Sequence, residues 1–94
     1  MSNTAKEMLT VAILGSVIME SIPENDFIPN GPTYAAMMQF GITLDQYKSL
    51  LRILEQLQAI TATDETIRRG AKYGHVLSQF NQVQTIAKER GFKL

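Results

Sequence analysis

The segment FGITLDQYKSLLRILEQL, from Phe40 to Leu57, constrains the fold more than any other part of the chain. Gly41 closes one apolar helical stretch and is the residue type best suited to a left-handed helix cap. Two residues on, Thr43-Leu-Asp-Gln46 has the pattern of a capping box, in which threonine and glutamine satisfy each other's backbone N–H groups. Tyr47, Leu50, Leu51, Leu54 and Leu57 then recur at three- and four-residue spacing, which predicts a helix over 43–58 with one buried face. Asp45, Lys48, Ser49, Arg52, Glu55 and Gln56 fall on the other face. The chain must therefore hold two helices joined by a very tight turn.

The other elements are arranged around that pair. Met8 to Met19 is an uncharged apolar run preceded by Thr4-Ala-Lys-Glu7, another capping-box pattern, and predicts a first helix from Thr4 to about Glu20. Being apolar over much of its circumference, that helix calls for deep burial. Gly15 within it allows another helix to come close. The run is about twelve residues long, short of the roughly 18–20 that cross a bilayer. It also lacks the basic lead and small-residue cleavage site of a signal peptide.

SIPENDFIPNG, residues 21–31, reads as a connector in which Phe27-Ile28 forms a very short strand. Pro32 at a first helical position starts a second helix, PTYAAMMQF, that ends at Gly41. Beyond Ala59, ITATDETI alternates around an acidic turn at Asp64-Glu65 and predicts a hairpin from Ile60 to Ile67. A last helix over about 71–90 follows, with Lys88 and Arg90 at its negative end. Leu50, Leu54, Ile13, Val17, Phe40 and Ile42 are expected to share the core, with Met19, Met37 and Met38 as fillers.

Ninety-four residues make one domain, here 1–94. Nine basic and nine acidic residues cancel, but unevenly. Residues 1–47 carry a net of −4 and residues 48–94 a net of +4, an asymmetry that fits either an anionic partner for the second half or attraction between the halves. The absence of cysteine removes disulfides, thiolate metal sites and a cysteine nucleophile, and favours a cytoplasmic location. His75, the only histidine, has no acid or cysteine at ligand spacing, so no metal or other cofactor is expected. Ser16, Ser21, Ser49 and Ser78 form no readable nucleophile arrangement, and the chain is not expected to be an enzyme.

The order helix, brief strand, helix, glycine turn, helix, hairpin resembles the winged helix-turn-helix superfamily of DNA-binding domains. Ala36, Phe40, Gly41, Ile42, Tyr47 and Leu50 occupy that motif's packing and turn positions. Met37 departs from it, standing where the family usually has alanine. The resemblance covers about 5–69, with the helix over 71–90 as an addition, and implies a mainly α fold with a small β-hairpin. It implies further that the helix over 43–58 reads duplex DNA, with Gln46, Ser49 and Asp45 facing base edges and Lys48 and Arg52 reaching bases or phosphates. Thr43 would offer backbone N–H groups to a phosphate, and Arg68, Arg69 and Lys72 would lie beside a hairpin wing.

A small transcriptional regulator is the function so implied. Winged helices also serve as protein–protein adaptors, and the mixed charges of Asp45, Lys48, Arg52 and Glu55 on the same face suit that alternative, while Asp45, Glu55 and the acidic hairpin tip would repel phosphate. Self-association is also expected. Tyr73, Val76, Phe80, Val83 and Ala87 form one seam, widened by Leu77 and Ile86, that pairs two copies or else folds back onto its own chain.

Overall fold

The computed structural model describes the backbone of residues 2–91 and the side chains of residues 6–91. Four helices and three short strands follow in the order α1 (Ser2–Glu20), β1 (Phe27–Pro29), α2 (Asn30–Met37), α3 (Leu44–Gln56), β2 (Ile60–Ala62), β3 (Thr66–Arg69) and α4 (Tyr73–Glu89). A 3-10 turn, Met38–Phe40, extends α2 to the glycine. The protein is mainly helical with a small antiparallel sheet of strand order β1-β3-β2. In that sheet Ile28 pairs with Ile67, and Ala62 pairs with Ile67 from the other side.

The capping signals on α3 operate as the sequence requires. Thr43 N–H donates to Gln46 Oε1 at 2.8 Å, and Gln46 N–H donates to Thr43 Oγ1 at 3.1 Å. Gly41 takes the left-handed conformation at φ 80°. Tyr47, Leu50, Leu51 and Leu54 are buried, and Leu54 is fully enclosed. The C-terminus of α3 closes differently from the usual glycine cap. Gln58 stands in the left-handed region at φ 63°, donating to Glu55 O, while Ala59 N–H reaches back to Leu54 O at 2.9 Å. This is a Schellman motif built on glutamine. It ends the helix before Leu57 can join the buried row, and Leu57 is 41% exposed.

α1 and α4 lie antiparallel, tied at one end by Tyr73 Oη donating to Met19 O at 2.7 Å. Farther along, Gln84 Nε2 donates to Ser16 Oγ at 3.1 Å, and Ser16 Oγ donates to Ala12 O at 2.6 Å. A methyl group at Gly15 would stand 2.8 Å from the Phe80 ring and 3.1 Å from Leu54 Cδ2. The glycine therefore marks where α1, α3 and α4 converge. Among the described residues, no helix is long and apolar enough to cross a membrane.

Several expectations are corrected. α1 begins at Ser2, ahead of the anticipated cap, and the Thr4 side chain lies outside the described residues. α2 begins at Asn30, so Pro32 is the third helical residue; that position's N–H lacks an intrahelical acceptor in any helix, and proline fits there equally well. Of the predicted core, Leu50 and Leu54 are buried and Ile13 and Ile42 half-buried, whereas Val17 and Phe40 are exposed. Phe40 is turned outward by the 3-10 geometry, and Val17 lies on the side of α1 away from α3 and α4. Met19 and Met37 fill the core, but Met38 is 53% exposed. Met37, not Ala36, is the inward residue of α2, since Ala36 is exposed.

The burial of Leu54 predicts that Leu54→Ala lowers unfolding free energy by roughly 2–5 kcal/mol in a denaturant titration. The strained Gln58 predicts the opposite sign for Gln58→Gly, a gain of about 0.5–1 kcal/mol, since glycine adopts the left-handed region freely.

A candidate nucleic-acid interface on helix three

α3 presents its polar face in two directions. Lys48 and Arg52 line a cleft of about 500 Å³ that also takes in Tyr34, Glu55, Thr63 and Asp64, between α3, the start of α2 and the hairpin. Asp45, Gln46 and Ser49 line a different groove, of about 680 Å³, whose other wall is α1 at Thr10, Val11 and Leu14. All five α3 residues are exposed, and the helical repeat places Asp45, Ser49 and Arg52 on the outermost row.

The position of the hairpin beside α3 is set by Asn30. Its Nδ2 donates to Thr63 O at 2.7 Å, its backbone N–H donates to Glu65 O at 2.8 Å, and its Oδ1 accepts from Tyr47 Oη at 2.7 Å. One side chain thus ties α2, α3 and the hairpin turn together. Tyr47 packs its ring 5.1 Å from that of Tyr34, and burial pushes its phenol up to about 12. The turn is also tied locally, with Thr63 Oγ1 accepting from Glu65 N–H and Thr66 N–H at 3.2 and 3.0 Å. The hairpin is therefore short and held close, with Asp64 and Glu65 exposed at its tip.

The expected contact residues do not all converge. Lys48, Ser49 and Arg52 remain on the exposed face. Gln46 keeps its amide N–H groups for a partner, but its oxygen is held in the cap. Thr43 and Gln46 N–H groups are taken by the capping box, so Thr43 does not offer them to a phosphate. Arg68 and Arg69 separate because neighbouring strand residues point to opposite faces. Arg68 lies over the Phe27 ring at 4.8 Å on the outer face of the sheet.

Arg69 turns inward instead. Its Nε donates to Ile22 O at 2.9 Å just beyond the C-terminus of α1, and its guanidinium stacks 4.2 Å over the Tyr73 ring. It anchors the end of α1 and points away from the face that carries Arg68. Lys72 is exposed at the start of α4, where its backbone N–H donates to Gln58 O.

The α4 seam is turned inward as well. Val76, Phe80 and Ala87 are buried, and Tyr73 and Val83 pack against the same core. α1 covers the seam because its small residues Ala12, Gly15 and Ser16 admit the larger side chains of α4. The seam is not an open face for a second copy. Asn30 is the residue that sequence reasoning missed: as part of Asn-Gly-Pro it signals only a helix start, and its ties to residues 33 positions away leave no local trace. His75 is exposed on the first turn of α4.

Two outcomes follow. Arg69→Ala is expected to lower stability by about 1–2 kcal/mol through loss of a charged hydrogen bond, and Arg68→Ala by less than about 1 kcal/mol, measured by urea unfolding. Tyr47 prefers its neutral form in the folded state, so its contribution is complete below the unfolded phenol value near 10 and is lost as pH rises towards about 12. Stability measured against pH should fall over that window, and Tyr47→Phe should fall less steeply.

Comparison of the chain with models of known families, with curated proteins and with solved structures gives no significant match.

Proposed function

We propose that the chain is a small, non-enzymatic DNA-binding protein of winged-helix type, a transcriptional regulator that reads duplex DNA with α3 while its hairpin acts as a short wing. The observation that carries this reading is the fixed pairing of an exposed, polar α3 with a hairpin at its side, held by Asn30. Strand order β1-β3-β2, in which the strand between the first two helices pairs with the far strand of the hairpin, supports the same reading. Lys48, Ser49 and Arg52 are the core contacts, with Gln46 contributing only through its amide N–H groups. Arg68 and Lys72 supply flanking phosphate contacts.

A second reading, a protein–protein adaptor using the same scaffold, is favoured by one feature. Residues 27–44 carry no charge at all, and within them Met38, Phe40 and Leu44 are 53%, 52% and 45% exposed. Such a surface offers nothing to phosphate and suits an apolar partner.

Fluorescence anisotropy with random duplex at low salt separates the two. The DNA reading predicts affinity that falls with salt at a slope of roughly two to four, about 0.9 for each phosphate neutralised. Lys48→Ala and Arg52→Ala should each reduce that slope by about 1. Absence of binding at low salt by the folded protein would contradict this reading and favour the adaptor.

A further inference from the structure

Asn30 and Gly31 open α2, and of the asparagines Asn3, Asn25, Asn30 and Asn81 only Asn30 is followed by glycine. That pair is the reactive one. The side-chain amide of asparagine is open to attack at Cγ by the backbone nitrogen of the next residue, and glycine puts no side chain in the way. Inside a helix that N–H is held by a carbonyl four residues earlier. Gly31 stands in the first turn, where a helix supplies no acceptor, and its N–H makes no hydrogen bond among the described residues. Gly31 is also exposed, and a Cβ there would meet nothing within 4 Å. Solvent base therefore reaches this nitrogen freely.

The group under attack is prepared as well. Asn30 Oδ1 accepts from Tyr47 Oη at 2.7 Å, so the phenol stabilises the negative charge that develops on this oxygen. Burial pushes that phenol up to about 12, and it stays a donor at the mildly alkaline pH that favours the reaction. What the fold withholds is alignment. A helical backbone holds the Gly31 nitrogen away from Asn30 Cγ, and the first turn of α2 must unwind before the two meet. Few helical hydrogen bonds oppose that opening, because the N–H groups of a first turn have no helical acceptors.

We propose that Asn30 is a site of spontaneous deamidation, and that the reaction frees the hairpin from α3. The Gly31 nitrogen gives its proton to solvent base and bonds to Asn30 Cγ. The Cγ–Nδ2 bond breaks, and Nδ2 leaves as ammonia with a proton taken from water. Water then opens the five-membered imide at either carbonyl, leaving aspartate or isoaspartate at position 30. Nδ2 is the atom that donates to Thr63 O at 2.7 Å, so its departure removes that tie. The carboxylate left behind only accepts hydrogen bonds, and it sets negative charge against the same carbonyl in the cleft that also holds Asp64. Isoaspartate adds a methylene to the backbone besides, which displaces the N–H that donates to Glu65 O. The inference concerns the chain's own chemistry and is independent of whether α3 reads DNA.

Incubation of the folded wild type at mildly alkaline pH, followed by peptide mass mapping with isoaspartate detection, tests the reaction. Asn30 is expected to convert, while Asn25, exposed in a turn but followed by aspartate, keeps its amide. Gly31→Ala, which the open space admits without disturbing α2, should keep Asn30 intact over the same period. Urea below the unfolding transition should leave the rate unchanged, because opening of one turn does not follow global stability. Hydrogen exchange of the converted wild type and of Asn30→Asp reads the release. Exchange at the N–H groups of position 30 and Thr66 should rise roughly tenfold, the effect of one lost hydrogen bond, with α1 and α4 unchanged. The inference is overturned by an Asn30 that keeps its amide, or by conversion that accelerates in urea or persists in Gly31→Ala. Hairpin exchange unchanged after conversion, or loss of the whole fold, overturns it equally.

Discussion

Everything else in this fold depends on the close approach at Gly15. A helix that is apolar on every side gives no directional instruction about which neighbour goes where. The missing side chain gives one. Phe80 settles against the bare backbone, Leu54 closes in beside it, and α3 and α4 take their positions on α1 from that contact. The part-buried polar pair Ser16–Gln84 lies along the same interface and fixes the sliding of α4 along α1, because hydrogen bonds restrict register where apolar contact alone does not.

The candidate interface is built in two steps from that base. α3 is anchored by its buried row and by the Gly41 turn, which leaves its polar face to solvent. Asn30 then brings the hairpin to the side of α3. The hairpin is thus short and held close to α3, and its tip is negative. A DNA reader with such a tip would take its contacts from α3 and the strand bases, since Asp64 and Glu65 would be repelled by phosphate. The same economy of charge suits an adaptor, and for this reason the decisive quantity is the salt dependence of binding, not the shape of the fold.

How much of this was legible in the sequence depends on whether each signal was local. The cap at Thr43, the turn at Gly41 and the row Tyr47, Leu50, Leu51, Leu54 are all set by neighbours within a few residues, and they folded where the pattern placed them. The hairpin likewise followed from alternation about an acidic turn. What failed was long-range. Strand alternation puts Arg69 on the face of Ile67 and Arg68 on the other, but the carbonyl that receives Arg69, at Ile22, lies far away in sequence. The seam of α4 was visible as a seam, but its periodicity carries no information about whether the surface it meets belongs to the same chain. Met37 fills the core as its residue type suggests, whereas Ala36, given an inward place by the resemblance, is exposed.

The most direct test of this account is the unfolding free energy of Gly15→Ala. Alanine at a freely exposed helical glycine adds about 1 kcal/mol through its better helix propensity. Here the new methyl would press on the Phe80 ring and Leu54, and overpacking of this kind typically costs about 1–3 kcal/mol. The account predicts a net loss of stability in a denaturant titration. A gain of about 1 kcal/mol, as at an unhindered helical site, would contradict it.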